Sequence, residues 1–269
     1  MEHLEGVTAF ITGGARGIGL GISRAFARAK IKLAIADIDF ASLAPAKSEL
    51  GRLTAVETFN LDVRDRDAYA RVADEAEARL GLVSILCNNA GVTAPTRFTY
   101  EFWDWMLGIN LNGVINGIQT FLPRMIERGG GAHIVNTASG AGLAAEGSGI
   151  MYNTSKFAVV GLSEALRRDM EPLGIGVSVL CPGPVGTNIV SNSRITRPAA
   201  QNAEEARTWE VITERVTARL ATGVSLDEVG EMVLAAVKAN RPYILTDRVM
   251  EKWIEARTKA LLDALPKAG

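Results

Sequence analysis

Tyr152 and Lys156 stand four residues apart in Met151-Tyr-Asn-Thr-Ser-Lys156, and Ser139 lies thirteen positions upstream of the tyrosine. Residues four apart share one face of a helix, so a phenol and an ammonium would point into the same space. A cation beside a phenol favours phenolate and lowers the tyrosine pKa from about 10. A tyrosine tuned that way exchanges a proton with an alcohol or a carbonyl near neutral pH. The same spacing is common on amphipathic helices, so the pair takes its meaning from its surroundings. Ser139 would end a strand, where its hydroxyl could bond a substrate oxygen; the bland alternative is a strand-end or cap serine. Serine hydrolysis competes poorly. Ala138-Ser-Gly140 lacks the G-x-S-x-G elbow, and His133, the only histidine besides His3, opens that strand at its far end.

The elements that must position these groups follow a simple rhythm. Short apolar runs at residues 7–12, 32–37, 54–60, 84–89, 133–139, 176–181 and 243–246 read as strands. Helical patterns run from the first glycine loop to about 29, then over 41–50, 65–80, 100–126, from Tyr152 to about 170, 227–239 and 250–265. Such alternation predicts βαβ units and a parallel sheet covered on both faces. Residues 185–223 are polar and break the rhythm, as a substrate lid or a disordered insertion would. With 269 residues, 48% of them hydrophobic, one domain over residues 1–269 is expected.

Charge and composition narrow the function. There are 29 basic and 30 acidic residues, well mixed, for a net charge of −1, which gives no electrostatic case for nucleic acid or an anionic membrane. Cys87 and Cys181 fall in apolar runs and read as buried free thiols. No Cys/His cluster suggests a metal. The chain has no signal-like start and no apolar run long enough to span a bilayer, and is expected in the cytoplasm.

Every unusual motif falls at the carboxyl end of a strand, where open parallel sheets collect ligands. Thr12-Gly-Gly-Ala-Arg-Gly-Ile-Gly19 joins the first strand to the first helix. Gly13, Gly17 and Gly19, with Arg16 and Ile18 between them, would bring backbone and a helix N-terminus to a pyrophosphate. The spacing is G-x-x-x-G-x-G rather than the common G-x-G-x-x-G. Asp37 ends the second strand, where an acid bonds both ribose hydroxyls of NAD and repels the 2′-phosphate of NADP. Arg16 pulls the other way, but Ile38 adds no second base, so NAD is expected over NADP. Asp39 is expected in the following turn. Asp62 and Val63 close the third strand, placed to meet adenine. Asn88, Asn89, Ala90 and Gly91 close the fourth, small enough for a ribose to lie against the backbone, although asparagine is also an ordinary turn former.

Taken in order, these residues, with Asn110, Pro182-Gly183-Pro-Val185 and Thr187, resemble the short-chain dehydrogenase/reductase family from about residue 4 to 187. The resemblance implies a doubly wound, Rossmann-type fold with a seven-stranded parallel sheet. It implies hydride transfer between a nicotinamide cofactor and a secondary alcohol or ketone. Tyr152 would be the general acid/base, and Lys156 would lower its pKa and bond the nicotinamide ribose. Ser139 would orient the substrate oxygen, and Asn110 would hold a water for a proton relay. Thr187 would grip the nicotinamide carboxamide, with Pro182, Gly183 and Val185 in the same cofactor-binding turn. A homotetramer is the usual assembly, with a dimer second. The pattern Trp103-Asp-Trp105 with Asn110–Gly117 and Pro123-Arg-Met125 is similar to a subgroup that includes benzylic-alcohol dehydrogenases of lignin aryl-ether breakdown. A substrate pocket is expected from residues 140–149, residues 93–96 and the lid from Asn188, suiting a bulky apolar alcohol. Arg194 and Arg197 in the lid would meet a carboxylate or simply be solvated. The rival readings are an NADP-dependent ketoreductase and a dinucleotide-binding regulator without turnover.

Overall fold

The computed structural model describes residues 3–95, 97–129, 131–145 and 148–266. Seven strands form one parallel sheet in the order β3-β2-β1-β4-β5-β6-β7. They are β1 (Thr8–Thr12), β2 (Lys32–Asp37), β3 (Val56–Asn60), β4 (Val83–Asn88), β5 (Ala132–Thr137), β6 (Ile175–Cys181) and β7 (Tyr243–Leu245). β1, β5 and β6 are buried at every position, which explains why their central residues read as short apolar runs rather than alternating ones. Alternate residues serve opposite faces. Ile11, Leu33 and Ile35 pack with Ile22 and Phe26 of α1 (Gly17–Arg28) and Val229 and Val233 of α9 (Leu226–Ala239). Phe10 packs on the other face with Tyr69 of α3 (Arg66–Leu80) and Phe121 of α5 (Gly113–Glu127). The order reverses direction between β1 and β4, so a crevice opens beyond their carboxyl ends. None of the described helices is long and apolar enough to cross a membrane.

Two segments differ from the sequence expectation. The single helix expected over 100–126 is α4 (Tyr100–Leu107) and α5, joined by a π-turn, Gly108–Asn112. One residue too many is accommodated there, and it turns the fully buried Asn110 toward β4. The polar stretch 185–223 is not featureless either. It carries a short helix, α7 (Ile189–Asn192), and an eighteen-residue helix, α8 (Ala203–Leu220). The Asn202 side chain caps α8 by accepting from Glu205 N, and Trp209, buried against Phe102 of α4, anchors it. α2 (Phe40–Leu50), α6 (Ile150–Met170) and α10 (Glu251–Asp263) complete the fold.

Candidate active site

A cleft of about 1060 Å³, counted to its open mouth, lies beyond β1, β2 and β4. Its walls bring together Gly13, Arg16, Gly17, Ile18, Asp37, Asp62, Val63, Asn89, Ala90, Gly91, Tyr152, Lys156, Pro182 and Thr187. Gly19, Asn110, Ser139, Gly183 and Val185 do not themselves line it. Gly183 packs against Asp247, donating its N–H to Thr246 Oγ1 at 3.0 Å, and Val185 is buried in a bridge to Val224. The side chain of Asn88 also faces away. It donates to Asn136 Oδ1 at 2.9 Å in the core, and Asn136 in turn donates to Ser163.

The glycine loop is shaped by close approach. A Cβ on Gly19 would lie 2.0 Å from the Gly13 carbonyl oxygen and 2.6 Å from Asn89 Nδ2, so nothing larger fits. Asn89 fastens the loop by donating to the carbonyls of Thr12 (3.1 Å) and Gly13 (3.2 Å). Thr12 Oγ1 accepts from the N–H groups of Asn89 and Ala90. The N-terminus of α1 has no side-chain cap and no acidic residue in its first turn. Among the described residues, no side chain caps its first N–H groups or offsets its positive dipole end from within the helix. At the neighbouring strand end, Asp37 accepts from Ala15 N (3.3 Å) and Asp39 N (3.0 Å). Burial raises its pKa above the ordinary carboxylate value, and those two N–H groups and the Arg16 charge only partly offset that. Asp62 lines the cleft already held by Arg64, whose Nε and Nη2 donate to it at 3.0 and 2.6 Å. Burial would raise its pKa, but the Arg64 bonds outweigh this and the carboxyl stays below its ordinary range.

At the other end, α6 projects Tyr152 and Lys156 from one face, as the spacing requires. The electrostatics differ from the sequence expectation. Lys156 Nζ lies 5.6 Å from the Tyr152 ring centre and donates to the Thr137 carbonyl at 3.0 Å, not to the phenol. Burial raises the Tyr152 pKa, and a hydrogen bond with Ser139 is what lowers it. Burial also lowers the Lys156 ammonium to about 8. Ser139 is held in turn by accepting from Ala141 N at 3.2 Å, at the start of a one-turn helix. Asn110 sits behind Gly91. It accepts from Val92 N (2.8 Å), donates to Val92 O (3.0 Å) and reaches Ser155 Oγ (3.2 Å). A Cβ on Gly91 would meet both Asn110 Oδ1 and Lys156 Nζ, at 3.4 and 3.5 Å, so the two groups flank that glycine.

Among the described residues of the expected substrate walls, those that reach the cleft belong to the lid: Ile189, Asn192, Ile195 and Thr196. Thr93 supports the lid instead, donating its N–H to Ser193 Oγ at 3.0 Å. Thr96, Glu146 and Gly147 lie outside the described residues. Arg197 stacks 4.0 Å over the Trp209 ring and Arg194 is exposed. Sequence reasoning expected the lid but did not single out Ile195, which ends a one-turn helix, or Thr196, which is held by Trp105 Nε1 at 3.0 Å. It also missed the Thr137 carbonyl, for which a sequence offers no signal.

The comparisons agree with this geometry. Residues 7–198 match the model of the short chain dehydrogenase family. A C alpha-dehydrogenase of a Sphingobium species is 35% identical over 277 residues, covering 98% of this chain and 88% of that protein. A 3beta-hydroxysteroid dehydrogenase 2 of Eggerthella lenta is 35% identical over 210 residues, covering 76% of this chain and 80% of that protein. A solved short chain dehydrogenase/reductase from Burkholderia phymatum, in complex with NAD, superposes with a TM-score of 0.90 at 32% identity, covering 100% of this chain and 99% of that one. A cleft with an uncapped helix at one end and a tyrosine and lysine at the other, in a chain that matches these proteins over most of its length, makes the protein a member of the short-chain dehydrogenase/reductase family of oxidoreductases.

Proposed function

We propose that the protein oxidises a bulky, apolar secondary alcohol, aryl carbinols included, with NAD. One observation carries the reading: the uncapped N-terminus of α1, the Asp37 carboxylate, Tyr152 and Lys156 all border a single cleft. The cradle fits a dinucleotide. The close turn that only glycine permits at Gly19 brings backbone to a pyrophosphate site. Asp37 would hold the adenosine ribose, with Asp62 and Val63 for the adenine, and Thr187 and Pro182 would hold the nicotinamide end. The NAD bound by the Burkholderia relative supports the choice of cofactor, and the name of the Eggerthella relative, a hydroxysteroid dehydrogenase, supports a bulky alcohol.

When bound, NAD supplies the hydride acceptor. Tyr152 takes the proton of the substrate hydroxyl and returns it in the reverse direction. Ser139, already bonded to Tyr152, holds the substrate oxygen beside the phenol. Burial disfavours the phenolate, so the step depends on Ser139 and on the Lys156 ammonium, which remains mostly charged at neutral pH. Asn110, across Gly91 from Lys156, holds the water through which the proton leaves. General acid–base help of this kind is worth roughly 10²–10⁴ in rate.

The whole chain serves as one domain, and residues 185–223 act as the substrate lid; Ile189, Asn192, Ile195 and Thr196 on the cleft wall support this. The working form is a cytoplasmic homotetramer. The large apolar side chains left exposed at Tyr100, Ile126, Tyr243 and Leu245 support self-association. The test is a panel of secondary alcohols with NAD, followed by NADH absorbance. The strongest signal is expected from bulky or aryl carbinols. A preference for small or charged alcohols would contradict the substrate reading.

A further inference from the structure

The cleft contains a guanidinium that NAD does not need. Arg16 lines the wall beside Asp37, and both of its terminal nitrogens are engaged. Nη2 pairs with Asp39 Oδ2 at 2.7 Å, and Nη1 donates to Asn192 Oδ1 at 3.2 Å. Asp39 does not line the cleft. It caps α2 by accepting from Ala41 N at 3.2 Å, and its own N–H holds Asp37 Oδ1 at 3.0 Å. Residues 37 to 39 thus hold the ribose-side carboxylate with one group and Arg16 with another. A phosphate on the ribose hydroxyl facing Asp37 would arrive next to Arg16, whose planar fork suits phosphate. Two carboxylates and one guanidinium leave the place with net charge −1, against a dianionic ester.

We propose that Asp39 is a second determinant of cofactor choice: pairing with Arg16 from outside the cleft, it withholds the guanidinium from a 2′-phosphate and so discriminates against NADP without touching the cofactor. This inference rests on the NAD reading above. Asp37 repels the phosphate directly, and Asp39 acts through Arg16.

The test is Asp39→Asn, which keeps an oxygen to cap α2 and the N–H to Asp37 while removing the charge. Dissociation constants for NADH and NADPH are read from tryptophan fluorescence in the wild type, Asp39→Asn, Arg16→Gln and the double variant, with AMP and adenosine 2′,5′-bisphosphate as competing fragments. Asp39→Asn is expected to bind NADPH and the bisphosphate about tenfold tighter, as one gained charge-assisted contact gives. NADH and AMP should change by less than about threefold, as expected for a partly exposed pair that does not touch the cofactor. The gain should vanish in the double variant. With NADH preferred by the wild type, three results overturn the inference alone: an unchanged NADPH affinity, a gain that survives loss of Arg16, or equal weakening of both dinucleotides as from a merely structural cap. A wild type that binds NADPH more tightly than NADH overturns the NAD reading, and this inference with it.

Discussion

Replacing the buried lysine by methionine should make the unliganded protein more stable while ending its chemistry. Lys156 is 3% exposed, and burial lowers its pKa from 10.5 to about 8. Each pKa unit corresponds to about 1.4 kcal/mol, so holding the charged form in this site costs about 3 kcal/mol. Lys156→Met removes that cost and fills similar space, but leaves the Thr137 carbonyl without its 3.0 Å donor, a loss of about 1 kcal/mol. The net gain is about 2 kcal/mol, or about 5 °C in Tm for a chain of this size. The gap should also depend on pH in a definite direction. The folded-state pKa lies below the unfolded one, so between pH 8 and 10.5 the unfolded chain keeps a proton that the folded chain has shed. The lysine's penalty is therefore full below about pH 8 and fades as pH rises to 10.5, so the wild type should catch up with the variant across that window. Urea unfolding of both proteins without cofactor, from pH 7 to 10, reads the effect. A variant no more stable than wild type at pH 7, or a gap that does not narrow with pH, would refute the reasoning.

Other perturbations have equally definite outcomes. Gly19→Ala places a methyl 2.0 Å from the Gly13 carbonyl oxygen, so the loop must move; a loss of about 1–3 kcal/mol is expected. NADH binding, titrated by fluorescence, should weaken about tenfold or more. Asn110→Leu leaves the Val92 N–H and carbonyl without their 2.8 and 3.0 Å partners, which should cost about 2–4 kcal/mol in denaturant unfolding. Its kcat should fall as well, and unchanged stability would show that the π-turn does not depend on that amide.

Much of this was legible in the sequence because it is encoded locally. The run of β6 is apolar at nearly every position because both faces are covered. The Tyr152–Lys156 spacing required only that α6 be a helix. What escaped depends on contacts far apart in the chain. The π-turn at Gly108–Asn112 follows from an amide that bonds Val92, eighteen residues away. Helix α8 owes its place to Trp209 against Phe102, a contact that its charged sequence concealed. Its start, where Asn202 caps the helix by accepting from Glu205 N, was not read from the sequence either. The place of the Lys156 ammonium, beside the Thr137 carbonyl rather than on the phenol oxygen, escaped for a similar reason. Helical spacing puts two groups on one face, but the Thr137 carbonyl of β5 decides where the ammonium points.

The central claim is that Tyr152 moves the substrate proton in an NAD-dependent oxidation. It is tested most directly by comparing NADH formation from an aryl carbinol by the wild type and by Tyr152→Phe, with NADH affinity measured on both. The wild type should reduce NAD, whereas the variant should bind NADH within a few-fold of wild type yet lose essentially all turnover. A variant that turns over at a rate comparable to wild type would contradict the account.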